Sequence, residues 1–187
     1  MEHPASYLSE LKAALDTLDL QAVQRSREWV GETRQQGRQL FLCGNGGSAA
    51  TASHLANDLG KGASYGRPGP GRFRVTALTD NVPWITALAN DVGYEAVFAE
   101  QLRNLGQAGD LLIAISGSGN SPNVLNAVQA ARELEMRTIG WCGFGGGKLA
   151  GLVDLPVVVA SHHMGRVEDV HAIIMHLICY YFMEQEE

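Results

Sequence analysis

Asp110-Leu111-Leu112-Ile113-Ala114-Ile115 runs directly into Ser116-Gly117-Ser118-Gly119-Asn120-Ser121-Pro122, and residues 123–134 then read as a helix. An apolar run, a loop of glycine and serine, and a helix in immediate succession form one unit of a parallel α/β sheet. Pro122 suits the first helical position, where its missing N–H is not needed.

The same unit recurs on both sides. Residues 39–43 form an apolar run that enters Gly44-Asn45-Gly46-Gly47-Ser48, followed by an alanine-rich helix over residues 49–59. Residues 72–78 read as a strand before Thr79-Asp80-Asn81, with helical stretches at 83–88 and 94–105. Strands at 137–142 and 154–159 and a closing helix at 167–183 complete the pattern. Five strands alternating with helices predict a doubly wound, five-stranded parallel sheet covered on both faces. Ligand sites in such sheets lie at the carboxyl ends of the strands, where both sharp loops fall.

Ahead of this core, Leu8, Leu11, Leu15, Leu18, Leu20 and Val23 recur at helical spacing, which predicts one long helix or two consecutive ones over residues 6–34. With 187 residues, 45% of them apolar, one well-buried core is expected. We read a single domain, with residues 1–36 as a helical segment and 37–187 as the α/β core. The glycine-rich run from Gly60 to Gly71 reads as a long connection in preference to a flap over the site.

The formal net charge of −6 and the dispersal of the basic residues argue against a nucleic-acid footprint, though not against a single phosphate. Cys43, Cys142 and Cys179 lie in apolar runs without metal spacing and read as reduced core thiols, which fits a cytoplasmic setting. Residues 1–19 lack the pattern of a signal peptide, and no apolar run is long enough to span a membrane.

Ser116, Ser118 and Ser121 place three hydroxyls at a strand end, immediately before a helix. Amides at a helix N-terminus favour an anion, and hydroxyls add donors. A plainer reading makes Ser121 a helix cap and the glycines mere turns. The loop is neither a Walker loop nor a dinucleotide fingerprint. The first loop repeats the architecture, with Asn45 and Ser48 suited to sugar hydroxyls, so the two together favour a phosphorylated, hydroxyl-rich ligand. On the flanking helices, His54 and Asp58 are spaced i, i+4 and share a face, as do Glu168 and His176 eight residues apart. Two histidines and two carboxylates are compatible with zinc or a similar divalent ion.

Four segments, residues 44–50, 89–95, 115–124 and 166–176, are similar in content and order to the motifs of the phosphoheptose isomerases, enzymes built on the SIS (sugar isomerase) domain. The likeness extends over essentially the whole chain. It implies flavodoxin-like subunits in a homotetramer with active sites between neighbouring chains. It also implies an aldose–ketose isomerase that converts sedoheptulose 7-phosphate into D-glycero-D-manno-heptose 7-phosphate through an enediol(ate). By the same resemblance, Ser116, Gly117, Ser118 and Ser121 hold the phosphate, and Asn45, Gly46, Gly47, Ser48, Asn90 and Asp91 line the sugar, with Asp58 and Glu168 also reaching it. His54, Asp58, Glu168 and His176 match the family's zinc ligands, and Asp58 and His176 are the expected acid–base pair.

This chain departs from the family pattern in several places. Asp58 stands where glutamate is usual and Glu168 where glutamine is usual. Gly117 occupies the middle of a Ser-Thr-Ser triplet, Thr51 takes the place of an acid, and Asn81-Val82-Pro83 replaces Asp-Thr-Ser. These changes leave the phosphate loop intact and alter the sugar side. Two other readings compete: an isomerase of a related seven- or eight-carbon ketose phosphate, and a non-catalytic sugar-phosphate-binding regulator of the same fold. A nucleotide-dependent dehydrogenase finds no Gly-x-Gly-x-x-Gly loop to support it.

Overall fold

The computed structural model describes residues 3–66 and 71–184. Two helices open the chain, α1 at Pro4–Asp16 and α2 at Leu20–Gln35. They are separate because Asp19 caps the second, its carboxylate accepting from the Gln21 and Ala22 amides at 2.9 and 3.1 Å. The apolar spacing across the break left both one helix and two open; the cap decides for two.

Five parallel strands follow: β1 at Gln39–Gly44, β2 at Arg74–Ala77, β3 at Leu111–Ser116, β4 at Arg137–Cys142 and β5 at Leu155–Val158. Their order in the sheet is β2-β1-β3-β4-β5. The chain therefore reverses its direction of travel between β1 and β3, and the crevice above their carboxyl ends is the switch point of a flavodoxin-like sheet. Between the strands run α3 (Gly47–Asn57), α4 (Val82–Asp91), α5 (Ala99–Leu105), α6 (Pro122–Glu133) and finally α7 (Met164–Met183).

Side chains alternate across the central strands. Leu40, Leu42, Leu111, Ile113 and Ile115 join a core shared with α2, α3 and α7, whereas Phe41, Cys43, Leu112 and Ala114 face α5 and α6. Ala22, Val23 and Val30 of α2 belong to the first of these cores, so α2 packs on the sheet directly, while α1 packs against α7. All three cysteines are buried, and burial pushes the Cys43 and Cys179 thiols up to about 12 and that of Cys142 to about 11.

Three local expectations change. Residues 94–105 are not one helix: a 3-10 turn at Tyr94–Ala96, entered from Gly93 at φ 139°, precedes α5. Asp58 is not in the α-helix that holds His54, but opens a π-helical turn at Asp58–Gly62, where its carbonyl accepts from the Ala63 amide at 2.8 Å. The strand expected at 72–78 is paired only over Arg74–Ala77. Residues 67–70 of the glycine-rich run lie outside the described residues.

Candidate active site

A cleft of about 270 Å³ opens above the carboxyl ends of β1 and β3. Asn45, Gly46, Gly47 and Ser48 line it from the first loop, and Ser116, Gly117, Ser118 and Ser121 from the second. Met164 and Glu168, one turn apart on α7, close the third side. Nine of the thirteen expected binding and catalytic residues line this cleft, and two more, Asp58 and His176, sit beside it on the turn that continues α3 and on α7.

The first loop is shaped by Gly46, whose φ of 54° turns the chain into α3 while its carbonyl accepts from the Ala49 and Ala50 amides. Gly47 leaves the space that the Glu168 carboxylate occupies, since a Cβ there would displace it. In the second loop Ser121 occupies the N-cap position of α6 but makes no capping bond with its side chain. Its hydroxyl lies instead 3.1 Å from that of Ser116. The plain capping role is therefore not the one the Ser121 side chain performs.

The loops are tied to each other. Asn45 donates to Asn123 Oδ1 and Asn123 donates to Asn45 Oδ1, both at 2.8 Å, and the Tyr94 hydroxyl donates to the same Asn45 oxygen at 3.1 Å. Most of the Asn45 amide is committed within the protein, which leaves its backbone and one side-chain N–H free of these bonds. Asn123, buried at 2% exposure, escaped the sequence reading because an Asn one residue inside a helix carries no local sign of a partner 78 positions away. Met164 escaped it too, lying just ahead of the expected helix start.

His54, Asp58 and His176 form a second cluster, each offering a ligand atom within 4.8 Å of the others. His54 Nε2 is 3.3 Å from Asp58 Oδ2, and the His54 and His176 rings stand edge to face at 5.2 Å. Two imidazoles and a carboxylate so placed fit a divalent ion of the zinc type. Glu168 is not in this trio; it faces Gly47 in the cleft. Asn90 and Asp91 end α4, both exposed, with Asn90 donating to Asp91 Oδ1 at 2.7 Å. Neither lines the cleft.

The departures from the family pattern have local counterparts. Thr51 donates back to the Gly47 carbonyl at 3.2 Å, and Asn81 caps α4 by accepting from the Trp84 amide at 3.2 Å. The space that a side chain on Gly117 would need is filled by the Met164 thioether.

Residues 6–143 match the SIS domain family model. A phosphoheptose isomerase from Roseiflexus sp. (strain RS-1) is 41% identical over 178 residues, 92% of this chain and 89% of the relative. Among solved structures, phosphoheptose isomerases from Neisseria gonorrhoeae and Francisella tularensis superimpose with TM-scores of 0.86 and 0.88 at 33% and 30% identity. The first match covers 95% of both chains, the second 97% of this chain and 96% of the other.

Proposed function

We infer from one premise, that this chain belongs to the SIS domain family and within it to the phosphoheptose isomerases, that it interconverts sedoheptulose 7-phosphate and D-glycero-D-manno-heptose 7-phosphate. The observation that carries the chemistry is the gathering of His54, Asp58 and His176 within 4.8 Å on helices flanking a hydroxyl-lined cleft.

The phosphate sits among Ser116, Ser118 and Ser121 at the N-terminus of α6, with Gly117 allowing close backbone approach. Backbone and hydroxyl groups of Asn45, Gly46, Gly47 and Ser48 meet the sugar, and Glu168 accepts from its hydroxyls. Asn90 and Asp91 reach a sugar as part of an assembled oligomer. Glu168 and His176 are eight residues apart on α7, roughly 12 Å along its axis.

Isomerisation moves one proton between C1 and C2 and another between their oxygens. Asp58 and His176 share this work as a carboxylate and an imidazole of matched reach. His54, Asp58 and His176 would hold a divalent ion, zinc or similar, whose Lewis acidity would stabilise negative charge developing on the substrate oxygens; Glu168, expected as a fourth ligand, faces Gly47 in the cleft instead. The protein acts in the cytoplasm as a homotetramer with active sites at subunit interfaces. Support for the oligomer comes from Leu177, Tyr180 and Tyr181, large apolar side chains on α7 left exposed around His176. Residues 1–36 and 37–187 act as segment and core of one domain.

Incubation with sedoheptulose 7-phosphate in deuterated water tests the reading. Deuterium should appear at C1 of recovered ketose and at C2 of the aldose, and His176→Ala should abolish both. Absence of exchange in metal-supplemented protein overturns the assignment.

A further inference from the structure

Three successive carbonyls in the loop after β3 are all engaged by groups that lie outside the cleft. Gly117 O accepts from the Gly143 amide at 2.9 Å, Ser118 O from Asn120 Nδ2 at 2.8 Å, and Gly119 O from the Leu149 amide at 3.0 Å. An anion site works only if such carbonyls are turned from the ligand, since their lone pairs would repel it while the amides attract it. Two of these three donors come from the connection between β4 and β5.

That connection has an unusual backbone. Phe144, Gly145, Gly146 and Gly147 have φ values of 50°, 76°, 96° and 54°, four left-handed residues in a row. It meets the serine loop main chain to main chain. A Cβ on Gly147 would lie 2.6 Å from Ser118 O, and a Cβ on Gly119, itself at φ 66°, would strike the Gly146 carbonyl. Asn120 adds a further link, its Oδ1 accepting from the Lys148 amide at 3.2 Å.

We infer that the Phe144–Gly147 connection is a positioning clasp for the phosphate loop: Gly147 and Asn120 hold the Ser118–Gly119 backbone in its anion-binding orientation without touching the ligand. The inference rests on the reading of Ser116 to Ser121 as the phosphate site, and it adds a second glycine loop to the machinery of that site.

Gly145 supplies the control. It too is left-handed, at φ 76°, but nothing lies within 4 Å of a Cβ placed on it. Gly145, at ψ 11°, lies where Ala can stand at modest cost, whereas Gly147, at ψ −150°, lies where only glycine is at ease; Gly145→Ala thus probes the loop without the clasp, and Asn120→Ala probes the clasp without backbone strain. Inorganic phosphate affinity by titration calorimetry, and KM and kcat with sedoheptulose 7-phosphate, are measured for both, with Asn120→Ala as a variant free of backbone collision. Gly147→Ala and Asn120→Ala should weaken phosphate binding and raise KM, on the order of tenfold for one lost hydrogen bond to a charged group, with kcat and zinc binding retained. Gly145→Ala should match the unmodified protein in phosphate affinity and KM. Equal phosphate affinity for Gly145→Ala, Asn120→Ala and any folded Gly147→Ala overturns the clasp. If the unmodified protein turns over the sugar phosphate and joint replacement of Ser116, Ser118 and Ser121 by alanine leaves KM and phosphate affinity unchanged, the phosphate site is overturned, and the clasp with it.

Discussion

The hydroxyls of Ser116 and Ser121 face each other at 3.1 Å across the start of α6, the one at the end of β3 and the other at the N-cap position with no capping bond. Neither is used up in holding the helix, so both are available to a phosphate oxygen without dismantling any secondary structure.

Ser116→Ala and Ser121→Ala should each raise KM for the sugar phosphate by roughly ten- to a hundredfold, the value of one hydrogen bond to a charged group. Thermal stability should change little for Ser121→Ala because no cap is lost. Steady-state kinetics beside a melting curve check both halves; a large drop in melting temperature with unchanged KM would return Ser121 to a structural role.

Chelation should destabilise the protein, since an ion bound by His54, Asp58 and His176 favours the folded state by mass action. At a free zinc concentration about a hundredfold above its dissociation constant the gain is about 2.7 kcal/mol. The increment should disappear in His54→Ala and His176→Ala, which can be followed by melting curves with and without added zinc, independently of turnover.

Acid stability should depend on His171. This residue is 1% exposed, neither ring nitrogen has a hydrogen-bond partner among the described residues, and burial lowers its pKa from 6.5 to about 4. The neighbouring Cys142 backbone pulls the other way, without a bond that satisfies the ring. Between these two values the unfolded chain binds a proton that the folded chain refuses. Stability is therefore whole above pH 6.5, declines as the pH falls through the window, and has lost its full increment, about 3 kcal/mol, near pH 4. Urea midpoints at pH 7 and pH 4.5 should differ less in His171→Leu than in the unmodified protein; equal differences would remove His171 from the account.

Leu177→Asp should break the proposed tetramer. Leu177 is 49% exposed in a single chain and lies beside His176, so burial between subunits would cover both. Sedimentation should give a species smaller than a tetramer, with activity falling in parallel. A monomeric unmodified protein, fully active at high dilution, would contradict the shared active site.

The parallel sheet was legible in the sequence because its signals are local: apolar runs of strand length, each ended by glycine and polar residues. The break between α1 and α2 was not, because Leu18 and Leu20 carry the apolar spacing across it and only the Asp19 cap tells otherwise. At the site, the hydroxyls of the serine loop and the i, i+4 pair His54 and Asp58 could be read directly. The π-helical turn under Asp58 could not, since it depends on a carbonyl bond to Ala63 that no residue type announces. Met164 and Asn123 were hidden for a different reason. Their roles exist only in contacts with Gly117 and Asn45, far off in the chain.

The Asn45–Asn123 pair joins the two ligand loops through uncharged amides alone. No proton can loosen that joint, and salt has little hold on it. The joint between the two loops is thus indifferent to acidity, whereas the imidazole and carboxylate groups beside it are not. A pH–rate curve for this protein should therefore follow the ionisation of those groups, Glu168 among them, and not a parting of the loops.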